Sequence, residues 1–286
     1  MANIGIEVIS TFENVNKARN SKIIELVGMK QLGYSFAKRM LDNKHAIRFF
    51  KPDDQCEEIH LKDKSLNGSD DKYAEDVDLF IIGTHGNNKD SNAVILYDTK
   101  KDDWEGNSNT WRLGNVKLKW LMIWGCSTID LNQPLGVWNI FENLHQFCGA
   151  YGNLTFMSMI ASSEGRVISK SSNLHLFGDG VGEMLTDGHT VADAWLWGMN
   201  HFVETLQPGI VVCAEKKFTW NNGNPWWLFT TLNNDHLSGH GYTADNIPKT
   251  DKYWLSYQWI EPVITVSHGY QKTTGRRIGG PSGGRK

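Results

Sequence analysis

The chain has 286 residues, 40% of them apolar and 21% charged, which excludes a wholly disordered protein and suffices to bury a full core. Net charge at neutral pH is −3, but residues 271–286 carry five Lys and Arg and no acid, so the remainder stands at −8. An acidic body repels phosphate backbones and argues against a general nucleic-acid binder.

Ile4–Ile9 reads as a first strand. Gln31–Leu41 places Leu32, Phe36, Met40 and Leu41 on one face of a helix, and Ala46–Phe50 is a short strand candidate. Residues 52–76 are polar and acid-rich, with Asn67-Gly68 as a turn signal, and read as surface loop. Asp78–Gly83 and Lys117–Gly125 are continuous apolar runs ending in glycine, as expected of strands buried on both faces of a parallel sheet. Between them lie a short strand at Ala93–Tyr97 and an Asp/Asn/Gly-rich loop at Asp102–Asn109. Pro134–Leu144 is a helix candidate with proline near its start, and Phe147–Tyr151 a further strand.

Leu174–Leu185 has a helical spacing of apolar and small residues. Thr190–Leu206 is the clearest helix, with Thr190 as cap and Pro208-Gly209 as stop. Ile210–Ala214 and Trp226–Thr231 read as strands. The expected organisation is one α/β domain over residues 1–267, with a core over 1–215 and an aromatic-rich C-terminal extension over 216–267. Residues 268–286 form a disordered basic tail in this reading. Strands alternating with helices call for a mostly parallel central sheet with helices on both faces, a three-layer sandwich.

The four cysteines, Cys56, Cys126, Cys148 and Cys213, form no CxxC pair and are too sparse for a disulfide scaffold. The N-terminal residues lack a basic start followed by an apolar stretch, and the longest apolar runs are far too short to span a bilayer. The expectation is a cytoplasmic protein with reduced thiols and no membrane partner.

Two strand ends carry the chemistry. Thr84-His85-Gly86 follows the first buried run and Gly125-Cys126-Ser127 the second. In open parallel sheets ligands bind beyond the carboxyl ends of the strands. If the two strands are neighbours, an imidazole and a thiol emerge about 5 Å apart at one edge. A thiolate is the nucleophile, an imidazole can take its proton, and the N–H groups of Gly86 and Cys126 can hold an oxyanion. Free cysteine is also an ordinary buried small apolar residue, and Cys56, Cys148 and Cys213 are read as such.

Apolar strand, His-Gly, a gap, apolar strand, then Cys resembles the caspase/gingipain/legumain class of cysteine peptidases. The chain also looks like a poorly characterised caspase-like domain family of microbes. Its matching features there are the segment Asn143-Leu144-His145-Gln146-Phe147-Cys148-Gly149 and the helix beginning Asp193-Ala194-Trp195. The resemblance implies a caspase-like fold, His85 and Cys126 as the catalytic dyad, and Gly86 and Cys126 as oxyanion donors. It implies a peptide or small-molecule acyl substrate and no cofactor or metal. Trp124, Asn87, Ser127, Trp226 and His236 are the candidate substrate-binding residues. The sequence departs from the class at Trp124-Gly125-Cys126, where Gln-Ala-Cys or Glu-Ala-Cys is usual, and no Arg pair marks a preferred cleavage residue. Two other readings stay open: a biosynthetic acyl transferase or cyclase acting on a small aromatic substrate, and a non-catalytic binding module. Oligomeric state is left open too.

Other motifs are weaker. Asp78 and Asp130 are poor candidates to orient His85. His236 and His240 are four apart, but the intervening glycine weakens the helix a metal site would need. Phe177-Gly178-Asp179-Gly180-Val181-Gly182 lacks the preceding strand of a phosphate loop and reads as helix packing on the sheet. The twelve tryptophans all lie between Trp104 and Trp259 and are expected to serve partly as core and partly as cleft wall.

Overall fold

The computed structural model describes residues 1–13, 23, 25–26, 28–86, 93–98, 103–129, 137, 139–152, 154, 159–161, 167–169, 174–202, 209–216, 218–219, 225–226, 235–237, 253–260 and 274–279. In chain order these form β1 (Asn3–Val8), α1 (Met29–Asp42), β2 (Ala46–Pro52), five 3-10 turns between Asp53 and Asp76, and β3 (Leu79–Gly83). There follow β4 (Ala93–Asp98), β5 (Asp103–Asn107), β6 (Trp120–Trp124), β7 (Gln146–Ala150), β8 (Met159–Ala161), β9 (Val167–Ser169), α2 (Leu174–Thr186) and α3 (Val191–Phe202). The last strands are β10 (Gly209–Lys216), β11 (Phe218–Thr219), β12 (Pro225–Trp226), β13 (Tyr253–Ile260) and β14 (Thr274–Gly279).

An eight-stranded sheet organises the chain in the order β14-β13-β10-β7-β6-β3-β1-β2. The five strands β2, β1, β3, β6 and β7 are parallel, and β10, β13 and β14 continue the sheet antiparallel. The fold is thus α/β with a mostly parallel central sheet. The two apolar runs are its centre: every residue of β3 and β6 is buried. Continuous apolar sequence is what a strand covered on both faces requires. Their register pairs Gly83 with Trp124, so Thr84 onward and Gly125 onward leave the sheet side by side.

Among the described residues the three α-helices stack side by side on one face. Met29, Leu32, Phe36 and Met40 of α1 are buried, and Met29 lies over Gly83. Gly178 of α2 sits so close to α1 that an added Cβ would come within 2.2 Å of the Leu32 carbonyl oxygen. The Gly178/Gly180/Gly182 series therefore serves contacts with the neighbouring helices: Gly178 and Gly182 face α1, and Gly180 faces Trp197 and Phe202 of α3. Arg39 and Asp179 add a bidentate pair at 2.9 Å between α1 and α2.

The opposite face carries the 3-10 turns of residues 53–76. Of the expected Pro134–Leu144 helix, Val137, Asn139 and Ile140 are helical, and residues 134–136 and 138 lie outside the described residues. This segment drops Cys56, His60, Leu61 and Ala74 inward between exposed polar residues, while the turns Asp53–Gln55 and Lys64–Leu66 bury no residue of their own. Asp103–Asn107 is a strand pairing with β4, where loop was expected. The C-terminal extension joins the main sheet through β13. Within the basic tail Thr274–Gly279 pairs along β13, because an edge strand's free N–H and C=O groups accept a partner with little regard to side chains.

The core is rich in indole. Trp111, Trp120, Trp124 and Trp195 are each no more than 1% exposed. Trp195 donates its indole N–H to the Gly149 carbonyl at 3.0 Å, which ties α3 to β7.

Candidate active site

The chain leaves β3 at Gly83 and turns through Thr84, His85 and Gly86. Thr84 N–H donates to the Trp124 carbonyl at 3.0 Å, extending the ladder one step past the strands. Gly125 and Thr84 are then in contact, with an ideal Cβ on Gly125 lying 2.9 Å from the Thr84 oxygen and 3.3 Å from Gly86 N. Gly86 is tighter still: a Cβ there would sit 1.4 Å from the Cys126 carbonyl oxygen. The residue after the histidine thus lies directly against the cysteine's backbone. Gly86 also bridges to Val94 of β4, which anchors the β4–β5 hairpin beside the site.

His85 is partly exposed and rests on Phe12, ring centroids 4.8 Å apart at 51°. Phe12 is buried beyond the end of β1, where Ile9 N–H still donates to the Gly83 carbonyl. The Asp53 carboxylate accepts from Ser10 and Thr11 N–H at 2.8 and 3.1 Å and pins that exit.

Cys126 is partly buried. Its sulfur accepts a hydrogen bond from Leu154 N–H at 3.2 Å, and its S–H lies 3.7 Å from the Leu154 carbonyl oxygen. Burial pushes the Cys126 thiol above its ordinary value, and the Leu154 N–H works against that rise. Ser127 follows in a left-handed conformation, φ 49°, and donates its N–H to the Gly152 carbonyl at 2.6 Å. Thr128 accepts from Ala150 N–H through its hydroxyl at 2.8 Å, and Ile129 N–H donates to the Ala150 carbonyl at 3.1 Å. The segment after β6 is therefore laced to the segment after β7.

These contacts bring His85, Gly86, Cys126 and Ser127 to one sheet edge. Two other expected site residues lie elsewhere. Trp124 is buried in the core, edge-on to Phe177 of α2 with ring centroids 6.4 Å apart. Its side chain alternates onto the helix-covered side of β6, as period-two geometry requires. His236 bonds the Gly188 carbonyl at 2.8 Å and bridges to Thr190, at the turn between α2 and α3. Its neighbour Asp235 accepts from the Trp120 indole at 3.2 Å, at the amino end of β6. Cys126 lies past the other end, so the two are separated by the strand, roughly 13 Å at about 3.3 Å per residue. Asn87 and Asp130 lie outside the described residues. Trp226 pairs with Phe218 in the β11–β12 ladder. Asp78 bonds Asn3 N–H at 2.7 Å at the amino edge and does not reach toward His85.

A family model described as a domain of unknown function, DUF6345, matches residues 12–259. The chain belongs to this family. No curated protein matches the sequence. The span matched by DUF6345 includes both strand ends, His85 and Cys126, as well as Phe12 and Leu154. β1 precedes it.

Sequence reasoning missed Phe12 and Leu154 in this DUF6345 domain. Neither carries a motif; each reaches the site only because β1 and β7 flank β3 and β6. Among the described residues no group of three or more His, Cys, Asp or Glu is placed to hold a metal, and no helix is long and apolar enough to cross a membrane.

Proposed function

We propose that this DUF6345 domain is a cysteine-dependent hydrolase of the caspase-like class, acting on a peptide or other acyl substrate. The observation that supports it best is the approach of Gly86 to the Cys126 backbone, at the carboxyl ends of two parallel neighbours. The reading needs an imidazole, a thiol and two backbone N–H groups around one point of the sheet edge, and this backbone approach supports it.

Burial pushes the thiol above its ordinary value and so disfavours the thiolate, and the reading assigns His85 as the base that acts during attack. In the proposed step the sulfur forms a bond to the acyl carbon while His85 takes the S–H proton. The carbonyl electron pair moves onto oxygen, opposite the N–H groups of Gly86 and Cys126. His85 then returns the proton to the leaving amine or alkoxide as the C–N or C–O bond breaks. Water hydrolyses the thioester by the reverse proton route.

Transfer or cyclisation on an aromatic substrate would call for aromatic walls beside Cys126. Trp124, the nearest indole in sequence, is committed to the core.

The test uses p-nitrophenyl acetate as a simple acyl donor, with acetylation of each cysteine followed by mass spectrometry. The expected result is acetylation at Cys126, slowed roughly 100-fold or more by His85→Ala. Equal rates in the wild type and His85→Ala, or acetylation spread over Cys56, Cys148 and Cys213, would overturn the proposal.

A further inference from the structure

The segment that follows β7 touches the thiol itself. Leu154 is 6% exposed, and its N–H points at the Cys126 sulfur, 3.2 Å away. Its carbonyl lies 3.7 Å from the same sulfur, so one residue's backbone brackets the thiol as both donor and acceptor. The bracket is held by three contacts closer to the sheet: Ser127 N–H to Gly152 O at 2.6 Å, Ile129 N–H to Ala150 O at 3.1 Å, and Ala150 N–H to the Thr128 hydroxyl at 2.8 Å. The left-handed turn at Ser127 is part of the same arrangement.

The two halves of the bracket respond differently to loss of the S–H proton. The carbonyl contact needs that proton and vanishes with it. The N–H contact becomes a bond to an anion, and hydrogen bonds to charged acceptors are about twice as strong as neutral ones. The backbone N–H follows the laced residues Ala150 and Gly152 and already faces the sulfur, so it is in place when charge appears there.

We propose that Leu154 is a positioning residue for Cys126: its main-chain N–H stabilises the thiolate and aims the sulfur, a role carried by the backbone and not by the leucine side chain. This deepens the hydrolase reading, in which Cys126 is the nucleophile. It also separates two kinds of residue in the site, since His85 moves the proton while Leu154 makes the resulting anion tolerable.

The experiment is the pH–rate profile of iodoacetamide alkylation at Cys126, read by peptide mapping. Three proteins are compared: the wild type, Leu154→Ala, and a protein with the α-hydroxy acid analogue of leucine at 154, which replaces N–H by oxygen. Losing one bond to a charged group corresponds to a thiolate population lower by roughly 10- to 100-fold. The ester protein is therefore expected to shift its profile upward by at least about one pH unit, while Leu154→Ala overlays the wild type. An unshifted ester profile, or an equal shift in Leu154→Ala, overturns the proposal. A measurement on the unaltered protein stands beside it: the Leu154 amide resonance should titrate with the same midpoint as alkylation, and an amide insensitive to pH there overturns the proposal too. Both readouts follow the thiol and not turnover. If His85→Ala leaves acetylation unchanged, the hydrolase reading fails while the Leu154 result stands by itself.

Discussion

Replacing Gly86 by alanine tests the geometry on which the site rests. The added methyl would lie 1.4 Å from the Cys126 carbonyl oxygen and 2.5 Å from its carbon, where real contacts are essentially never shorter than 3.0 Å. The two strand ends must therefore part by about 1.6 Å, roughly a third of the ~4.8 Å spacing between neighbouring strands. Both sides of the clash are backbone, so no side chain can rotate away. The Thr84 N–H bond to Trp124, now 3.0 Å, would stretch beyond a useful length. Overpacking costs about 1–3 kcal/mol, and a rigid backbone clash belongs at the upper end. About 3 kcal/mol lowers the melting temperature by roughly 6–12 °C in a domain near this size. Gly125→Ala is the comparator. Its Cβ would be 2.9 Å from the Thr84 oxygen, a tenth of an ångström inside the limit, and it should cost far less. Thermal unfolding followed by circular dichroism gives the ranking. A Gly86→Ala protein that melts with the wild type, or one more stable than Gly125→Ala, would refute the close approach of the two loop ends.

The amino edge offers an independent check. Asp235 is fully buried and accepts from His145 at 2.5 Å and from the Trp120 indole at 3.2 Å, so Asp235→Ala should cost about 3 kcal/mol in urea unfolding. Cys126 alkylation in that variant should stay as in the wild type, since the site is at the other end of β6; a change there would contradict the assignment of His236 and Asp235 to the amino edge. Glu7 provides a pH dependence. It is buried beneath the 3-10 turns with one carboxylate oxygen 2.6 Å from His60 Nδ1, and burial raises its carboxyl above the ordinary range despite that partner. The folded state then binds more protons than the unfolded one, so this contribution is complete below the ordinary carboxyl value and is lost as pH rises through the raised one. Glu7→Gln should flatten that decline in urea midpoints measured between about pH 4 and pH 8, and a profile parallel to the wild type would show that Glu7 is not its source.

Much of the parallel half of the sheet is legible in one dimension. Leu79–Gly83 and Trp120–Trp124 are unbroken apolar runs, and only burial on both faces suits such runs. α1 and α2 follow from apolar spacing, and α3 from its Thr190 cap, whose hydroxyl accepts from Asp193 N–H at 3.0 Å. The antiparallel end was less visible. Thr274–Gly279 has the composition of a tail and becomes a strand because β13 presents an open edge. Asp103–Asn107 is polar and becomes a strand because β4 lies beside it. In both, main-chain hydrogen bonds outweigh side-chain preference.

The candidate site divides in the same way. The amino-acid sequence alone determined that a histidine and a cysteine each end a buried strand and that glycines flank them, since local apolar patterning is enough to mark strand ends. It did not determine who stands next to whom. Strand order placed β3 beside β6 and so brought Gly86 against Cys126. The flanking strands β1 and β7 delivered Phe12 to His85 and Leu154 to the thiol across 73 and 28 positions of chain. The same packing removed Trp124 into the core and His236 to the far edge. Backbone donors and ring contacts carry no residue-type signature, so their partners exist only once the sheet is assembled.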